Sequence, residues 1–341
     1  ALILSISEIS SSEEIMLFQS ALALQCFTNE YIYSSTDQEN EILYEIKMSI
    51  QRDLAKCNQP NQHLVLCVAC YESLYDSGWA RLLEMNDGYK EVILRQLIEP
   101  EKEMELKPDI PILKEIKNQV SSEVRSQYEE NPYPRWVNLG LPPSSIPISK
   151  VVSGLKLKLV DDAITKIEKP NILIAGCGTG QHSIGTAMRF KDCQVLAIDL
   201  SLSSLAYAKR KTLELGITNI KYMQADILDL RELDQKFDIV ESGGVLHHMD
   251  KPMAGWRILV DCLNVGGIMN IGLYSDLARQ HIINIREEIK KSGVISTSST
   301  MKAFRKLLIA SEEEHHKKLL QSSDFYSLST FRDLVFHVQE H

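Results

Sequence analysis

The chain has 341 residues, 44% of them hydrophobic, which is enough to build two domains with buried cores. Its formal net charge of −9 gives no general attraction for nucleic acid or for an anionic membrane, so neither is expected as a partner. The apolar runs are far shorter than the roughly 20 residues of a transmembrane helix, and no signal-peptide pattern is visible. We therefore expect a cytoplasmic protein.

Residues 1–120 show helical periodicity throughout. Ser11 and Glu14 have capping-box spacing ahead of the first apolar run, and isoleucines recur every four residues from Ile42 to Ile50. The run HLVLCVACY is apolar on nearly all sides and is predicted to be the buried helix. Paired short helices without a fixed repeat suggest an α-solenoid, and we predict a helical domain without a catalytic constellation.

Seven cysteines are spread over the chain, and this odd number indicates reduced thiols rather than a disulfide framework. Cys67 and Cys70 form a C-x-x-C motif, but no second pair of ligands lies nearby to complete a zinc site. The motif lies inside the apolar helical run. We therefore expect both side chains to be buried, and we predict no metal site in the chain.

Residues 121–150 differ in composition, with five prolines accompanied by Tyr128, Tyr133 and Trp136. Prolines in this number exclude a regular helix or a central strand. A plain linker would be polar and rich in glycine and serine, whereas the aromatic residues and Arg135 indicate a segment that packs on its neighbour. The segment is either a strap between domains or a lid over the adjacent site, and the sequence leaves both open.

Residues 151–280 alternate between strand-like and helical segments. Five short apolar runs, beginning with NILIAG and CQVLAIDL, are predicted to be buried strands. Their near-continuous apolar character indicates a mostly parallel, doubly wound sheet with helices on both faces. The predicted fold is thus an α/β Rossmann-like domain preceded by an all-α helical domain, and residues 281–341 again have a helical pattern.

A glycine-rich turn follows the first predicted strand and contains Gly176, Gly178 and Gly180. A strand, such a turn and a helix are typical of the mononucleotide-binding half of a Rossmann-type fold. A dinucleotide fingerprint requires G-x-G-x-x-G, and here Gln181 stands where the third glycine would let the helix pack closely. This residue argues against a bound pyrophosphate, and hence against a nicotinamide dehydrogenase.

Two acidic residues end the next two predicted strands, Asp199 the second and Asp226 the third. A carboxylate in the first position can accept hydrogen bonds from both hydroxyls of a ribose, and one in the second from the exocyclic amine of adenine. Each residue could instead cap a helix. Two acids in register with the glycine turn nevertheless favour a nucleoside ligand.

In these motifs the chain resembles the class I S-adenosylmethionine-dependent methyltransferases. The resemblance extends over roughly residues 150–280. AGCGTG is similar to the family's first motif, and Asp199 is similar to its ribose-binding acid. QADI is similar to the adenine-proximal motif, and FDIVESGGVLHHM is similar to the fourth-strand motif. The resemblance implies a methyltransferase domain over residues 151–280 and S-adenosyl-L-methionine as the cofactor. The cofactor-binding residues that it implies are Gly176, Cys177, Gly178, Gly180, Gln181, Asp199, Leu200, Asp226, Ile227, Glu241 and Gly243.

A narrower resemblance concerns a bacterial subgroup in which tetratricopeptide-like helices precede the methyltransferase domain. The segments YEENPYPRW and GLYSDLAR carry it, and it implies that residues 1–120 are tetratricopeptide-like. These helices would recognise the methyl acceptor or a protein partner.

The chain departs from the family pattern in two places. Many members have an acid two residues before the turn, where this chain has Ile174, so Gln181, His182 or the lid must replace that anchor. The family also closes its sheet with two further strands, whereas residues 281–341 have a helical pattern. We expect the closing strands to lie beyond His341, so that the chain is a segment of a longer protein.

Methyl transfer from a sulfonium is an in-line displacement in which the protein aligns the nucleophile and removes its proton where necessary. His247 and His248 follow the fourth predicted strand and are candidate general bases, although one of them could simply pack on or cap the next helix. The predicted substrate or lid residues are Tyr128, Tyr133, Arg135, Trp136 and Tyr274. We expect transfer to an oxygen or nitrogen of a small molecule or polypeptide; the alternative is a non-catalytic helical adaptor that retains a cofactor-binding domain.

Two further patterns near the C-terminus have simpler interpretations. HVQEH, residues 337–341, matches an inverted zinc-protease motif, but a chance match on an amphipathic helix is favoured. EEEHHKK, residues 312–318, has mixed charge and is predicted to be a solvated helix face.

Overall fold

The structure, a computed structural model, describes residues 13–338, which form two compact units. The helical unit consists of the chain up to residue 102 together with residues 281–336, and the sheet unit of residues 103–280 with His337 and Val338. Ser11 of the predicted capping box and residues 339–341 of the HVQEH motif lie outside the described residues. Within residues 13–338, none of the helices combines the length and the apolar character needed to cross a bilayer.

The helical unit begins with α1 (Glu13–Thr28), α2 (Asp37–Ala55) and α3 (Gln62–Ala69). A capping box starts α2, in which the Thr36 hydroxyl accepts from the Glu39 N–H at 3.2 Å and the Glu39 carboxylate accepts from the Thr36 N–H at 2.8 Å. Six of the eight residues of α3 are buried, so the prediction of a buried helix is confirmed. Cys67 and Cys70 are buried, as expected, and neither takes part in a disulfide within residues 13–338.

Residues 74–106 are less regular than their periodicity predicts. They form 3-10 turns at 74–76 and 78–82, and then α4 (Lys90–Ile93), which continues through a π turn into α5 (Glu99–Leu106). The buried Gln96 amide in this π turn donates to the carbonyls of Ala23 and Ala69, each at 3.0 Å, and accepts from the Leu74 N–H at 3.3 Å. Because its polar atoms all have partners, Gln96 fixes the turn against α1 and α3.

The sheet unit is built on five parallel strands in the order β3-β2-β1-β4-β5. The strands are β1 (Asn171–Ala175), β2 (Gln194–Asp199), β3 (Ile220–Gln224), β4 (Phe237–Gly243) and β5 (Leu263–Gly272). The helices are α6 (Gln119–Glu130), α7 (Ile148–Gly154), α8 (Gln181–Arg189), α9 (Leu202–Glu214) and α10 (Pro252–Asp261). Alternate residues of β1 enter two different apolar clusters, Ile172 and Ile174 one and Leu173 and Ala175 the other. Both faces are therefore covered, which confirms the predicted parallel, doubly wound fold.

The prediction that residues 121–150 contain no regular helix is wrong at both ends of the segment. Its prolines lie between Pro132 and Pro147, so they restrict only the middle of the segment. Accordingly, α6 runs to Glu130 and α7 starts at Ile148. The irregular part between these helices carries Tyr133 and Trp136, whereas Tyr128 lies in α6.

Glu129, in the last turn of α6, caps the N-terminus of α9. Its carboxylate accepts from the Ser203 N–H at 3.2 Å, from the Ser203 hydroxyl at 2.5 Å and from the Leu202 N–H. Lys107 lies 3.5 Å from the same carboxylate. An anion at a helix N-terminus satisfies free N–H groups and interacts favourably with the helix dipole, so Glu129 fixes α6 to α9.

Four helices after the sheet unit belong to the helical unit: α11 (Gln280–Ser292), α12 (Ser298–Ala310), α13 (Glu314–Leu319) and α14 (Leu328–Phe336). Ile32, from the loop after α1, is buried in the same apolar cluster as Ile285 and Phe331. The Glu30 carboxylate accepts from the Ser329 N–H at 2.6 Å. The helical unit is therefore assembled from both ends of the chain.

Replacing Glu129 by Gln should lower stability, because the cap keeps an oxygen acceptor but loses its charge. We expect a loss of about 0.3–1 kcal/mol in the free energy of unfolding, measured by urea denaturation. Glu123→Gln on the exposed face of α6 is the matched control and should leave stability within error. Equal stabilities of the two variants would contradict the proposed cap.

Candidate cofactor site

The turn after β1 is held against the end of β2 by backbone hydrogen bonds. The Gly176 and Cys177 N–H groups both donate to the Ile198 carbonyl at 2.9 Å, and the Gly178 N–H donates to the Asp199 carboxylate at 2.7 Å. Gly178 has φ +52°, and a Cβ there would lie 2.5 Å from the Tyr133 carbonyl oxygen. Both the backbone conformation and the available space therefore require glycine.

The segment from Tyr133 to Trp136, here called the strap, lies directly on this turn. The Thr179 N–H donates to the Tyr133 carbonyl at 3.3 Å, and the Thr179 hydroxyl donates to the Pro134 carbonyl. The Trp136 indole N–H donates to the Thr179 carbonyl at 3.1 Å, and the Tyr207 hydroxyl donates to the Trp136 carbonyl. These bonds fix the strap as part of the site's wall.

A cavity of about 200 Å³ lies at the carboxyl ends of the strands, between the glycine turn, the strap and α6. Thirteen of the residues singled out from the sequence line it: Tyr128, Tyr133, Gly176, Cys177, Gly178, Gln181, His182, Asp199, Leu200, Asp226, Ile227, Gly243 and His248. Six others are not among the lining residues: Gly180, Glu241, Arg135, Trp136, Tyr274 and His247. A ligand at this position is the general expectation for an open parallel sheet.

Asp199 is partly buried at the end of β2 and faces the cavity. One carboxylate oxygen accepts from the Gly178 N–H at 2.7 Å and the other from the Ser201 N–H at 3.0 Å. Burial raises the pKa of Asp199 above its ordinary value, although the backbone hydrogen bonds to its carboxylate act in the opposite direction. Each oxygen can accept one further hydrogen bond from a ligand.

Asp226 both caps a 3-10 turn and lines the cavity. Its carboxylate accepts from the Leu228 N–H at 2.9 Å at the start of that turn, and the Ser121 side chain also hydrogen-bonds to it. Burial raises the pKa of Asp226, and these hydrogen bonds oppose the increase. The capping and ligand-facing interpretations of this residue are therefore compatible.

Glu241 lies behind the cavity wall in β4 and connects it to α8. Its carboxylate is 3.0 Å from the His182 Nε2 and accepts from the Thr186 hydroxyl at 2.7 Å. Burial alone would raise the pKa of Glu241, but the hydrogen bond and charge of His182 and the hydrogen bonds of Thr186 and Asn270 together lower it. Glu241 thus positions His182, which lines the cavity.

The two adjacent histidines after β4 have different surroundings. His248 lines the cavity and stacks on His337, with ring centroids 3.6 Å apart. His247 instead stacks on Tyr274 at 3.9 Å, and the Arg279 guanidinium lies 3.6 Å from the centroid of the same tyrosine ring. Of the pair, His248 is the one that lines the cavity.

Several lining residues are absent from the set predicted from the sequence. Ser121 and Val124 of α6 line the cavity together with Tyr128, and their spacing of three and four residues is that of one helix face. This spacing was available as a signal once α6 was recognised as a helix. Ser204 in α9 also lines the cavity, and no motif marks it. Val245 lines it too and lies inside the FDIVESGGVLHHM motif, although it was not among the predicted site residues.

The fold and the site define a Rossmann-like domain that takes a nucleoside-containing ligand at its strand ends. Residues 172–267 match the family described as "Methyltransferase domain". An uncharacterized protein of Rickettsia prowazekii is 30% identical over 187 residues, which is 53% of this chain and 71% of that protein. The match places residues 172–267 in the class I S-adenosylmethionine-dependent methyltransferases, and the cofactor of this domain is S-adenosylmethionine.

Two further similarities cover smaller shares of their counterparts. An uncharacterized protein of Synechococcus sp. is 34% identical over 125 residues, 36% of this chain, and this chain spans only 30% of it. A solved structure of PKMT2 from Rickettsia typhi in complex with AdoHcy aligns with 55% of this chain and 39% of its own, at 21% identity and a TM-score of 0.42. The chain thus spans about a third of these two relatives.

Gly178→Ala should destabilise the sheet unit by about 1–3 kcal/mol, because its Cβ meets the Tyr133 carbonyl and its φ is unfavourable for alanine. The same variant should also bind S-adenosylhomocysteine more weakly, as measured by calorimetry. Gly185→Ala in α8 is the matched control, since a Cβ there meets no atom within 4 Å, and it should be neutral or stabilising. Parent-like stability and binding of Gly178→Ala would contradict the tight contact between strap and turn.

Proposed function

We propose that this chain transfers the methyl group of S-adenosylmethionine to an oxygen or nitrogen nucleophile of a small molecule or polypeptide. The observation that carries the proposal is the cavity lined by the glycine turn, Asp199 and Asp226, in a chain whose residues 172–267 match a methyltransferase domain. We further propose that the protein is cytoplasmic, and that the N-terminal helices are tetratricopeptide-like and recognise the methyl acceptor.

The residues present fit the cofactor. The buried Ser204 hydroxyl lines the cavity and has no hydrogen-bond partner among residues 13–338, so it is available to a polar group of a ligand. A Cβ at Gly243 or Gly244 would meet no atom within 4 Å, so both positions border open space. Asp199 would hold the ribose hydroxyls, Asp226 and the Ile227 backbone the adenine, and Gln181 and His182 the methionine end.

When bound, the cofactor supplies an electrophilic methyl group on a sulfonium. The residues around it need only align the nucleophile and exclude water. Gly243 and Gly244 allow an acceptor to approach the strand ends closely, and Tyr128 and Tyr133 form an aromatic wall beside them, with stacked rings 6.2 Å apart. The strap closes this wall over the glycine turn.

His248 is the proposed general base for an acceptor that must lose a proton. Its ring lines the cavity and stacks on His337, whose Nε2 lies 3.1 Å from the Tyr128 hydroxyl. Since Tyr128 also lines the cavity, the three side chains form one connected group, and His337 would orient the His248 ring. His247, packed against Tyr274, is proposed to have a structural role.

Calorimetric titration with S-adenosylhomocysteine, with NAD as the control ligand, tests cofactor binding. Asp199→Asn should weaken binding by about 1–3 kcal/mol, the scale of lost charge-assisted hydrogen bonds. Because the pKa of Asp199 is raised, its carboxylate takes up a proton at a higher pH than an ordinary aspartate. The affinity of the parent should therefore be constant well above that pKa and fall as the pH drops towards it, whereas the variant should show a flatter profile.

Asp192→Asn is the matched control, because Asp192 is exposed and its φ of +55° suits asparagine. Its affinity should equal that of the parent. If Asp199→Asn bound S-adenosylhomocysteine as tightly as Asp192→Asn, the ribose assignment would be wrong. Binding of NAD by the parent would contradict the assigned ligand class.

His248→Gln should reduce methyl transfer by about 10²–10⁴-fold, the usual contribution of a general base, with the affinity for S-adenosylhomocysteine unchanged. The measurement is transfer of labelled methyl groups to a panel of hydroxyl- and amine-bearing compounds and to protein substrates. His247→Gln is the neighbouring control and should retain most of the turnover. Equal turnover in both variants would mean that catalysis depends only on alignment of the nucleophile with the methyl group, without a general base. Tight binding of the cofactor without transfer to any acceptor would favour the alternative of a non-catalytic adaptor.

A further inference from the structure

Three potential metal ligands converge in the helical unit. Glu288 lies in α11, and His315 and His316 are consecutive residues of α13. The His315 Nε2 lies 2.6 Å from one Glu288 carboxylate oxygen, and the His316 Nε2 lies 2.8 Å from the other. One ligand atom from each of the three residues lies within 4.8 Å of the other two.

Ser311 contacts the His316 imidazole at the nitrogen that does not face Glu288. The His316 Nδ1 lies 2.7 Å from the Ser311 hydroxyl oxygen, and the same oxygen accepts from the Glu313 N–H at 3.2 Å. A metal-binding imidazole commonly uses its second nitrogen in this way, which fixes both ring orientation and tautomer. The His316 side chain is only 13% exposed, so its ring has little freedom to turn away.

Neighbouring lysines pair with other carboxylates. Lys291, one turn along α11, pairs with Glu287 at 3.5 Å, and Lys317, next to His316, pairs with Glu312. Glu288 is thus shared between the two imidazoles. Nitrogen from two imidazoles and oxygen from one carboxylate is a ligand set that suits Zn²⁺ and its neighbours in the first transition row, and not the hard cations Mg²⁺ and Ca²⁺.

We propose that Glu288, His315 and His316 form a binding site for a divalent transition-metal ion of the Zn²⁺ type. The ion takes the place of the proton in each hydrogen bond between an Nε2 atom and the Glu288 carboxylate, and the displaced protons pass to solvent. The two Nε2 atoms and the carboxylate then supply three ligands, and solvent water takes the fourth position of the tetrahedron. Binding connects α11 to α13 inside the helical unit. The site is independent of the methyl-transfer proposal. It departs from two predictions made from the sequence, that the chain has no metal site and that residues 312–318 form a solvated helix face.

The test is calorimetric titration of the full chain with Zn²⁺ at pH 7.5, repeated with Co²⁺ and followed by its visible absorption. We expect one saturable site with a Co²⁺ spectrum that lacks a thiolate charge-transfer band, which separates it from binding by the cysteines. Protons compete for imidazole nitrogen, so the affinity should fall on lowering the pH to 6.

Glu288→Gln and His316→Ala should each abolish this saturable binding, and Glu287→Gln on the same helix should leave it unchanged. Ser311→Ala, which removes only the orienting hydroxyl, should weaken Zn²⁺ binding by about 10-fold. It serves as the informative variant if the ligand variants fail to fold, as judged by circular dichroism of the metal-free proteins. Failure of the parent to bind Zn²⁺ saturably, or unchanged affinity in Glu288→Gln and Ser311→Ala, would overturn the proposal.

Discussion

The site depends on the hydrogen bonds between the turn after β1 and the end of β2. Gly176 and Cys177 donate to one carbonyl, that of Ile198, and Gly178 donates to the Asp199 side chain. The strands are parallel and in register, so this contact brings the glycine turn and the Asp199 carboxylate to the same level of the sheet. The strap then binds the outer side of the same turn. A change in the turn would therefore move both walls of the cavity.

The parts of the site that the sequence predicts are those specified by local pattern. Asp199 and Asp226 each end an apolar run, and parallel topology brings such ends to one edge of the sheet without any knowledge of long-range contacts. The same logic located His248 after β4. Gly180 belongs to the same motif but is not among the lining residues: a Cβ there would lie 2.6 Å from that of Ala208, so this glycine serves helix packing.

The parts that sequence could not specify depend on contacts between distant segments. Glu129 caps α9 across 73 residues of chain, and no pattern near Glu129 marks that partner. Proline content correctly excludes regular structure in the middle of residues 121–150, but it carries no information about α6 on one side and α7 on the other. Ile32 and Phe331 share an apolar cluster although they lie at opposite ends of the chain. A periodic pattern shows that each helix has a buried face, but it does not show which other element packs against that face.

The register of β1 and β4 bears on the missing acid at Ile174. Ile174 is paired with Glu241 on the neighbouring strand, so a carboxylate is present at that level of the sheet although it comes from β4. Glu241 reaches the cavity through His182, whose Nε2 is 3.0 Å from it and whose ring is among the lining groups. Burial alone would raise the pKa of Glu241, but the hydrogen bond and charge of His182 help to lower it. In the proposed binding mode, the His182 imidazole would therefore face the methionine end of the cofactor, and the Glu241 carboxylate would lie behind that imidazole.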